Sequence, residues 1–408
     1  MKLYFTKPLL IILCLGMASG LPLALTASTL FAWLAEAGVQ TETIGLFASI
    51  ALPYSLKFLW SPLVDSVEIP LLGKALGRRR SWLLTLQIFL VLAMMLMASG
   101  NPAEAPFYFA LMGCAIAFFS ASQDIVIDAY RVESVPIEQQ GAAAAMITLG
   151  YRLAMLVSGA GALWLSDHVS WHLTYLVMAG IMAGLAVMTL VMPEPVVSRQ
   201  SSVVSIKAAV IEPFRDFMQR EGWLMILLFV ILFKLGDAFL GVMFNPFLLE
   251  LGFTKTDIAA IVKLYGLLAT IGGSFLGGWL VSRYGVYRIL LLTGFWHMLT
   301  NLLLVLLAGM GPDKLFLALC VISENLTAGM GSAAFVAYLS ALCRREYTAT
   351  QYALLSSLAS VARTLISAES GMAAAWLGWQ GFFLFSSLLA IPSLILLWWM
   401  EQRRKKMI

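Results

Sequence analysis

The chain has 408 residues, 61% of them hydrophobic and 12% charged, with a formal net charge of +4 at pH 7. Such an apolar excess lies outside the range of soluble domains and is accommodated only by many membrane spans of about 20 residues each, which excludes a soluble enzyme. The four cysteines are scattered, Cys14, Cys114 and Cys320 inside apolar runs, and of the three histidines His168 and His172 share a short loop, so the sequence offers no zinc spacing, disulfide framework, nucleophile elbow or phosphate-binding loop.

Lys2 and Lys7 precede an apolar core, as in a secretory signal peptide. The uncharged stretch from Pro8 to Trp33 is too long for a cleaved segment and reads as a first span, 8–33. Apolar windows predict further spans at 44–65, 81–99, 104–130, 140–165 and 172–192, then at 223–249, 257–281, 286–309, 313–340, 349–376 and 379–400. Between the two sets lies the longest polar stretch, 193–222, opening with Pro193-Glu194-Pro195. The expected fold is therefore an all-α polytopic membrane protein of twelve transmembrane helices in two pseudo-symmetric six-helix bundles, 1–192 and 223–408, joined by a cytoplasmic linker over 193–222. Gly16-x-x-x-Gly20 in the first span and Gly273-x-x-x-Gly277 in the eighth permit close helix approach. Gly20-Leu-Pro22 can also break its helix beside a cavity.

Loop charges give the orientation. With both termini cytoplasmic, inner segments hold nineteen Lys and Arg, including Lys74, Arg199, Lys207 and Lys405, whereas outer loops hold only Lys255 and Lys314. The halves also echo each other. Glu36-Ala-Gly38 before Ile44 resembles Glu250-Leu-Gly252 before Ile258, and the spacing of Gln140 to Arg152 recurs from Gln351 to Arg363. The nearly equal offsets, 214 residues for the first match and 211 for the second, point to an ancient duplication.

Ionisable residues fall inside the predicted spans: Lys57, Asp124, Asp128, Arg152, Lys234, Asp237, Lys263, Glu324, Arg363 and Glu369. Each costs at least ~2.5 kcal/mol unless paired or facing a cavity, so together they predict a hydrophilic path between the halves. Asp124 and Asp128 share one helix face, with Asp124 ~10 Å inside the cytoplasmic end marked by Arg131. With Glu324 beside Asn325, they are the candidates for proton coupling, although Asp128 can instead pair with Arg131 at the helix end. Lys234 and Asp237, three apart, can form a local ion pair facing the cavity. Arg152 and Arg363 are the candidate cationic contacts for an anionic substrate, unless each is locked to a carboxylate. Glu369 near a helix end reads as solvated.

Ser61-Pro-Leu-Val-Asp65 followed by Gly77-Arg78-Arg79-Arg80, and Gly278-Trp-Leu-Val-Ser-Arg283-Tyr-Gly285 in the second half, resemble the Gly-x-Leu-x-Asp-Arg-x-Gly-Arg-Arg signature of the major facilitator superfamily. The first copy carries an insertion, and the second has Ser282 where Asp is expected. The resemblance implies a cytoplasmic gate of Asp65, Arg131 and Arg283, with Asp65 and Arg131 as partners. An ordinary positive-inside anchor accounts equally for Arg78, Arg79 and Arg80.

Several segments narrow the resemblance: Ser19-Gly-Leu-Pro-Leu-Ala-Leu-Thr26, Lys57-Phe-Leu-Trp60-Ser-Pro62, Ser120-Ala-Ser-Gln123-Asp124-Ile-Val-Ile-Asp128-Ala, Gly150-Tyr-Arg152-Leu, Lys234-Leu-Gly-Asp237-Ala, Glu324-Asn325 and Thr350-Gln351-Tyr-Ala-Leu-Leu-Ser356. Together they resemble the AmpG muropeptide permease family over nearly the whole chain. That resemblance implies proton-driven import of anhydro-muropeptides (GlcNAc-anhydroMurNAc peptides) from periplasm to cytoplasm for peptidoglycan recycling, across the bacterial inner membrane. Longer members carry two more C-terminal helices, and related short permeases import siderophores, the alternative cargo. A polytopic membrane transferase is a remote alternative, because the charged residues spread through both halves. The expected partners are an anionic glycopeptide, protons and membrane lipid, with no nucleic acid and no cofactor beyond the proton gradient, and the chain is expected to act as a monomer. Gln123, Tyr151, Lys234, Asp237 and Asn325 join the arginines as candidate substrate contacts, and Tyr54 and Trp60 are further candidates for a sugar-facing surface.

Overall fold

A chain this apolar must satisfy its backbone N–H and C=O groups without water, which restricts lipid-spanning segments to helices or a closed barrel. The computed structural model describes residues 3–195, 206–367 and 369–407, and among these there is no strand. Lys2 and Arg199 lie outside the described residues, as do the side chains of Lys207, Lys255, Arg363, Arg404, Lys405 and Lys406.

Among the described residues, ten helical segments are long and apolar enough to cross a membrane: Lys7–Glu36, Arg78–Ala98, Pro106–Ser134, Ile137–Ser166, Trp171–Val191, Trp223–Glu250, Ala260–Tyr284, Val286–Met310, Lys314–Leu342 and Ser370–Arg403. The second predicted span is a shorter apolar helix, Thr43–Leu59, followed by Ser61–Ser66. Pro53 and Pro62 each remove a backbone donor there, and 3₁₀ turns at Phe47–Ala51 and Lys57–Leu59 interrupt the α-helix. The eleventh begins at Thr348. Gly378, at φ 63° and ψ 170°, breaks the last helical segment between the predicted eleventh and twelfth spans, a conformation glycine adopts without a Cβ penalty. Among the described residues these make twelve spans, and a further helix, Ile206–Met218, lies between the two sets.

The described chain forms two compact units. One comprises Met1–Pro136, Met146–Arg215 and Cys343–Ser357; the other comprises Ile137–Ala145, Asp216–Leu342 and Leu358–Ile408. The fifth and eleventh helices therefore each contribute to both. In the first unit the core runs through Leu15, Leu25, Leu90, Phe109, Ile116 and Tyr175. In the second it runs through Phe239, Phe247, Leu304, Leu317, Phe382 and Phe383.

Helix irregularities follow local chemistry. The first helix stops at Leu25, three residues beyond Pro22, whose carbonyl accepts from both the N–H and the hydroxyl of Thr26, and it resumes at Ser28. The fifth opens into a π-turn over Val157–Gly161, where the Ser158 carbonyl takes the Thr29 hydroxyl at 2.7 Å. The seventh is interrupted at Lys234, between Trp223–Phe233 and Leu235–Glu250.

Both glycine pairs pack backbone against backbone. A Cβ at Gly16 or Gly20 would run into the carbonyls of Ile147 or Tyr151, and one at Gly150 into that of Leu13, joining helices one and five. A Cβ at Gly273 would strike the Leu326 carbonyl, and one at Gly277 the Met330 backbone, joining helices eight and ten. Backbone cannot swing aside as a side chain does, so Gly150→Leu should destabilise the protein by about 3 kcal/mol or more, the upper range for overpacking. Gly180→Leu, at a position with nothing within 4 Å of the added Cβ, should stay near wild type. Thermal unfolding of the two purified variants in one detergent checks the contrast.

Candidate functional site

In the first unit the polar groups gather along the fourth helix, Pro106–Ser134. Ser19 Oγ donates to Asp124 Oδ1 at 2.6 Å, across from the first helix. Gln123, fully buried, donates its Nε2 to the Ala18 carbonyl at 2.9 Å, so it braces the same helix pair. One turn further, Asp128 meets Lys57 Nζ at 3.6 Å and Arg131 at 3.7 Å. The i,i+4 spacing predicts that Asp124 and Asp128 share a face, and Lys57 interacts electrostatically with Asp124 too. Tyr54 lies within electrostatic reach of both Asp124 and Tyr151. Trp60 Nε1 donates to Ser122 Oγ at 3.0 Å, and its ring packs against Phe118 with centroids 5.0 Å apart. Arg152 is half-buried and makes no ion pair among the described residues. An unneutralised guanidinium inside a span is the feature an anionic cargo would require.

The same unit carries a second, buried charge network that the sequence assigned differently. Asp65 is paired with Arg79, whose Nη2 lies 2.9 Å from Asp65 Oδ1. Arg79 also bonds Glu133 through Nε at 3.0 Å and Nη2 at 2.5 Å. Asp65 further accepts from the Ala349 and Thr350 N–H groups and from the Thr350 hydroxyl, at 3.2, 2.8 and 2.9 Å, holding the start of helix Thr348–Ser367. Unpaired N–H groups and the positive dipole end at a helix start favour a carboxylate there. Arg131, fully buried, has its guanidinium over the Tyr352 ring, 5.0 Å from the centroid. Glu194, in the polar stretch after the sixth helix, accepts from the N–H groups of Arg79 and Arg80 at 2.7 and 3.0 Å. Burial pushes its carboxyl above the ordinary range, against the lowering pull of those two bonds.

In the second unit, Lys234 Nζ lies 2.9 Å from Asp237 Oδ2, the i,i+3 pair expected from spacing. The other carboxylate oxygen lies 2.9 Å from Nε2 of His297, on the ninth helix. Asn325 donates to Glu324 Oε2 at 2.8 Å and accepts from Thr270 Oγ1 at 3.0 Å. Lys263 and Glu369 are exposed, and Arg283 is exposed with its guanidinium near the Trp279 and Tyr284 rings. The side chain of Arg363 lies outside the described residues. His297, Arg79, Glu133 and Thr350 are the participants that reading the sequence missed. A lone histidine in an apolar run was the available signal for the first. For Arg79 it was the 100° helical step, which stops three successive arginines from all facing outward.

The profile of the Major Facilitator Superfamily matches residues 8–367 and, in a second match, 230–407. The chain is 42% identical over 389 residues to the anhydromuropeptide permease of Escherichia coli K12, covering 95% of this chain and 78% of that protein. It is 40% identical over 408 residues to the transporter AmpG 4 of Rickettsia felis, covering 98% of each. Among solved structures, FucP in the outward conformation superposes with a TM-score of 0.75 at 13% identity, covering 97% of this chain and 99% of that one. The proton:xylose symporter XylE superposes at 0.70 and 12% identity, covering 95% and 94%. The chain is therefore a multi-pass membrane transporter, not an enzyme, and belongs to the major facilitator superfamily and within it to the AmpG permease family.

Proposed function

We propose that this transporter imports anhydro-muropeptides, GlcNAc-anhydroMurNAc peptides, from periplasm to cytoplasm in symport with protons, serving peptidoglycan recycling. The observation that carries the cargo assignment is the 42% identity to the anhydromuropeptide permease across 95% of the chain. The strong excess of Lys and Arg in alternate loops supports an inner-membrane orientation with both termini cytoplasmic.

The chemistry of the first unit suits this task. Moving one negative charge inward against a negative-inside potential costs about 2.3 kcal/mol per 100 mV, so a cargo bearing carboxylates needs accompanying protons. Asp124 takes up a proton when open to the outer side and releases it on the inner side. Ser19 donates to its carboxyl group from the first helix. Asp128 is held between Lys57 and Arg131, one turn from Asp124. Arg152 binds a cargo carboxylate, and Tyr54, Trp60 and Tyr151 offer apolar faces and polar tips to the sugar rings. Asp65 belongs to the gate and acts through Arg79 and the start of the eleventh helix. Surrounding lipid and a monomeric carrier complete the reading.

Uptake of labelled anhydro-muropeptide into right-side-out membrane vesicles tests it: uptake should follow an imposed inward proton gradient and collapse with a protonophore. Robust siderophore uptake with none of muropeptide would overturn the cargo assignment. Arg152→Ala should weaken muropeptide binding by about 1.5–3 kcal/mol, the value of a charged hydrogen bond. Arg152→Lys should recover only part of it, because the bidentate fork is gone. Equilibrium binding to the detergent-solubilised variants reads both.

A further inference from the structure

Inside the second unit, helices seven, nine, ten and twelve enclose a cavity lined by Lys234, Asp237, His297, Asn301, Thr327 and Ser393. His297 stands at its centre with a hydrogen-bonding environment that constrains its protonation. Nε2 lies 2.9 Å from Asp237 Oδ1, a close contact off the line of an ideal hydrogen bond. Nδ1 lies 3.5 Å from Thr327 Oγ1. The Thr327 hydroxyl has one proton, and two backbone carbonyls of its own helix compete for it at shorter range, Ser323 at 2.9 Å and Glu324 at 2.8 Å. It therefore turns a lone pair to Nδ1. Both ring nitrogens face acceptors, an arrangement that a neutral imidazole, with one N–H, does not satisfy and an imidazolium does.

We infer that His297 and Asp237 form a second proton-binding site of the carrier, lodged within the C-terminal bundle and separate from Asp124 and Asp128. The bound proton comes from the aqueous phase, resides on the imidazole facing Asp237, and returns to the aqueous phase on release. Lys234, 2.9 Å from the other carboxylate oxygen, balances Asp237 when the proton is absent. Glu324 on the tenth helix acts on His297 through space and offsets part of the added charge. The twelfth helix contributes only the uncharged Ala390 and Ser393 to the cavity, and the ninth contributes Thr293, Gly294 and Asn301 besides His297 itself. Asn301, 1% exposed, has no hydrogen-bond partner for Oδ1 among the described residues, leaving one further acceptor at the cavity wall. The site rests on the proton-coupled reading for its purpose, and it adds a second titrating centre to the half of the molecule that carries Glu324.

The full-length carrier, labelled with ¹⁵N-histidine and held in detergent micelles, provides the test. The three imidazoles are assigned with His168→Gln and His172→Gln single variants. Titration over roughly pH 5 to 9 should carry both His297 ring nitrogens together between imidazolium and neutral shifts. Asp237→Asn, which removes the facing anion, should move that midpoint by about one pH unit or more. A His297 that stays neutral throughout the range, or a midpoint indifferent to Asp237→Asn, overturns the assignment. If Asp237→Asn does not fold, the wild-type titration alone decides the first outcome. No cargo enters these measurements, so they can fail while muropeptide uptake succeeds, and the reverse.

Discussion

An Asp124→Asn carrier is expected to lose gradient-driven uptake by about 50-fold at a membrane potential of 100 mV, while counterflow exchange of labelled for unlabelled cargo persists. The factor comes from the charge left uncompensated: about 2.3 kcal/mol for one elementary charge, with 1.4 kcal/mol per tenfold. Asparagine keeps the size of the side chain and a hydrogen-bond partner for Ser19 Oγ, 2.6 Å away in the wild type, so the helix-one to helix-four contact should survive. Exchange requires binding and reorientation with no net proton movement, and for that reason the two assays separate coupling from folding. Equal loss of both activities would assign Asp124 to cargo binding or to structure. Asp128→Asn should behave differently, because it also releases Lys57 and Arg131 from their shared carboxylate.

Arg79→Met is expected to lower stability by about 3–5 kcal/mol, the range for removing one partner of a buried ion network. Arg79 is 1% exposed, and without it the carboxylates of Asp65 and Glu133 are left unpaired near one another. Asp65 would retain its three bonds from Ala349 and Thr350, so the helix start remains a partial counter-charge. Arg79→Lys should fall between, since an ammonium supplies charge without the fork that spans two carboxylates. Arg80→Met is the matched control. Among the described residues its guanidinium reaches only the Thr189 and Leu190 carbonyls, and its loss should cost about 1 kcal/mol. Thermal unfolding of the three variants in one detergent gives the ranking, and an Arg79→Met protein as stable as Arg80→Met would refute the buried network.

These two sites show where sequence and structure part company. Arg78, Arg79 and Arg80 count equally toward a positive-inside bias, yet the helix turns about 100° per residue and only Arg79 enters the core. The signature resemblance pairs Asp65 with Arg131, which sits in the same unit but is engaged by Asp128 and the Tyr352 ring. The Lys234–Asp237 pair, by contrast, was legible at once, because residues three apart on a helix meet whatever surrounds them. Its third member, His297, lies sixty residues further along on a different helix, where a lone histidine in an apolar run names no partner.

The sequence by itself determined the membrane class, the twelve helices and the family, since apolar length, loop charge and extended motif similarity are all one-dimensional properties. It also exposed the small-residue stripes at Gly16, Gly20, Gly273 and Gly277. Only the tertiary structure decided which partner each charge meets: Ser19 for Asp124, Arg79 for Asp65, His297 for Asp237. The reason lies in the solvent. Helices bound for lipid are apolar on nearly every face, so hydrophobic periodicity, which orients a soluble helix toward its core, says little about which face turns inward here. Rotation is set by backbone packing at glycines and by polar contacts between distant helices, and those appear only once the helices are assembled.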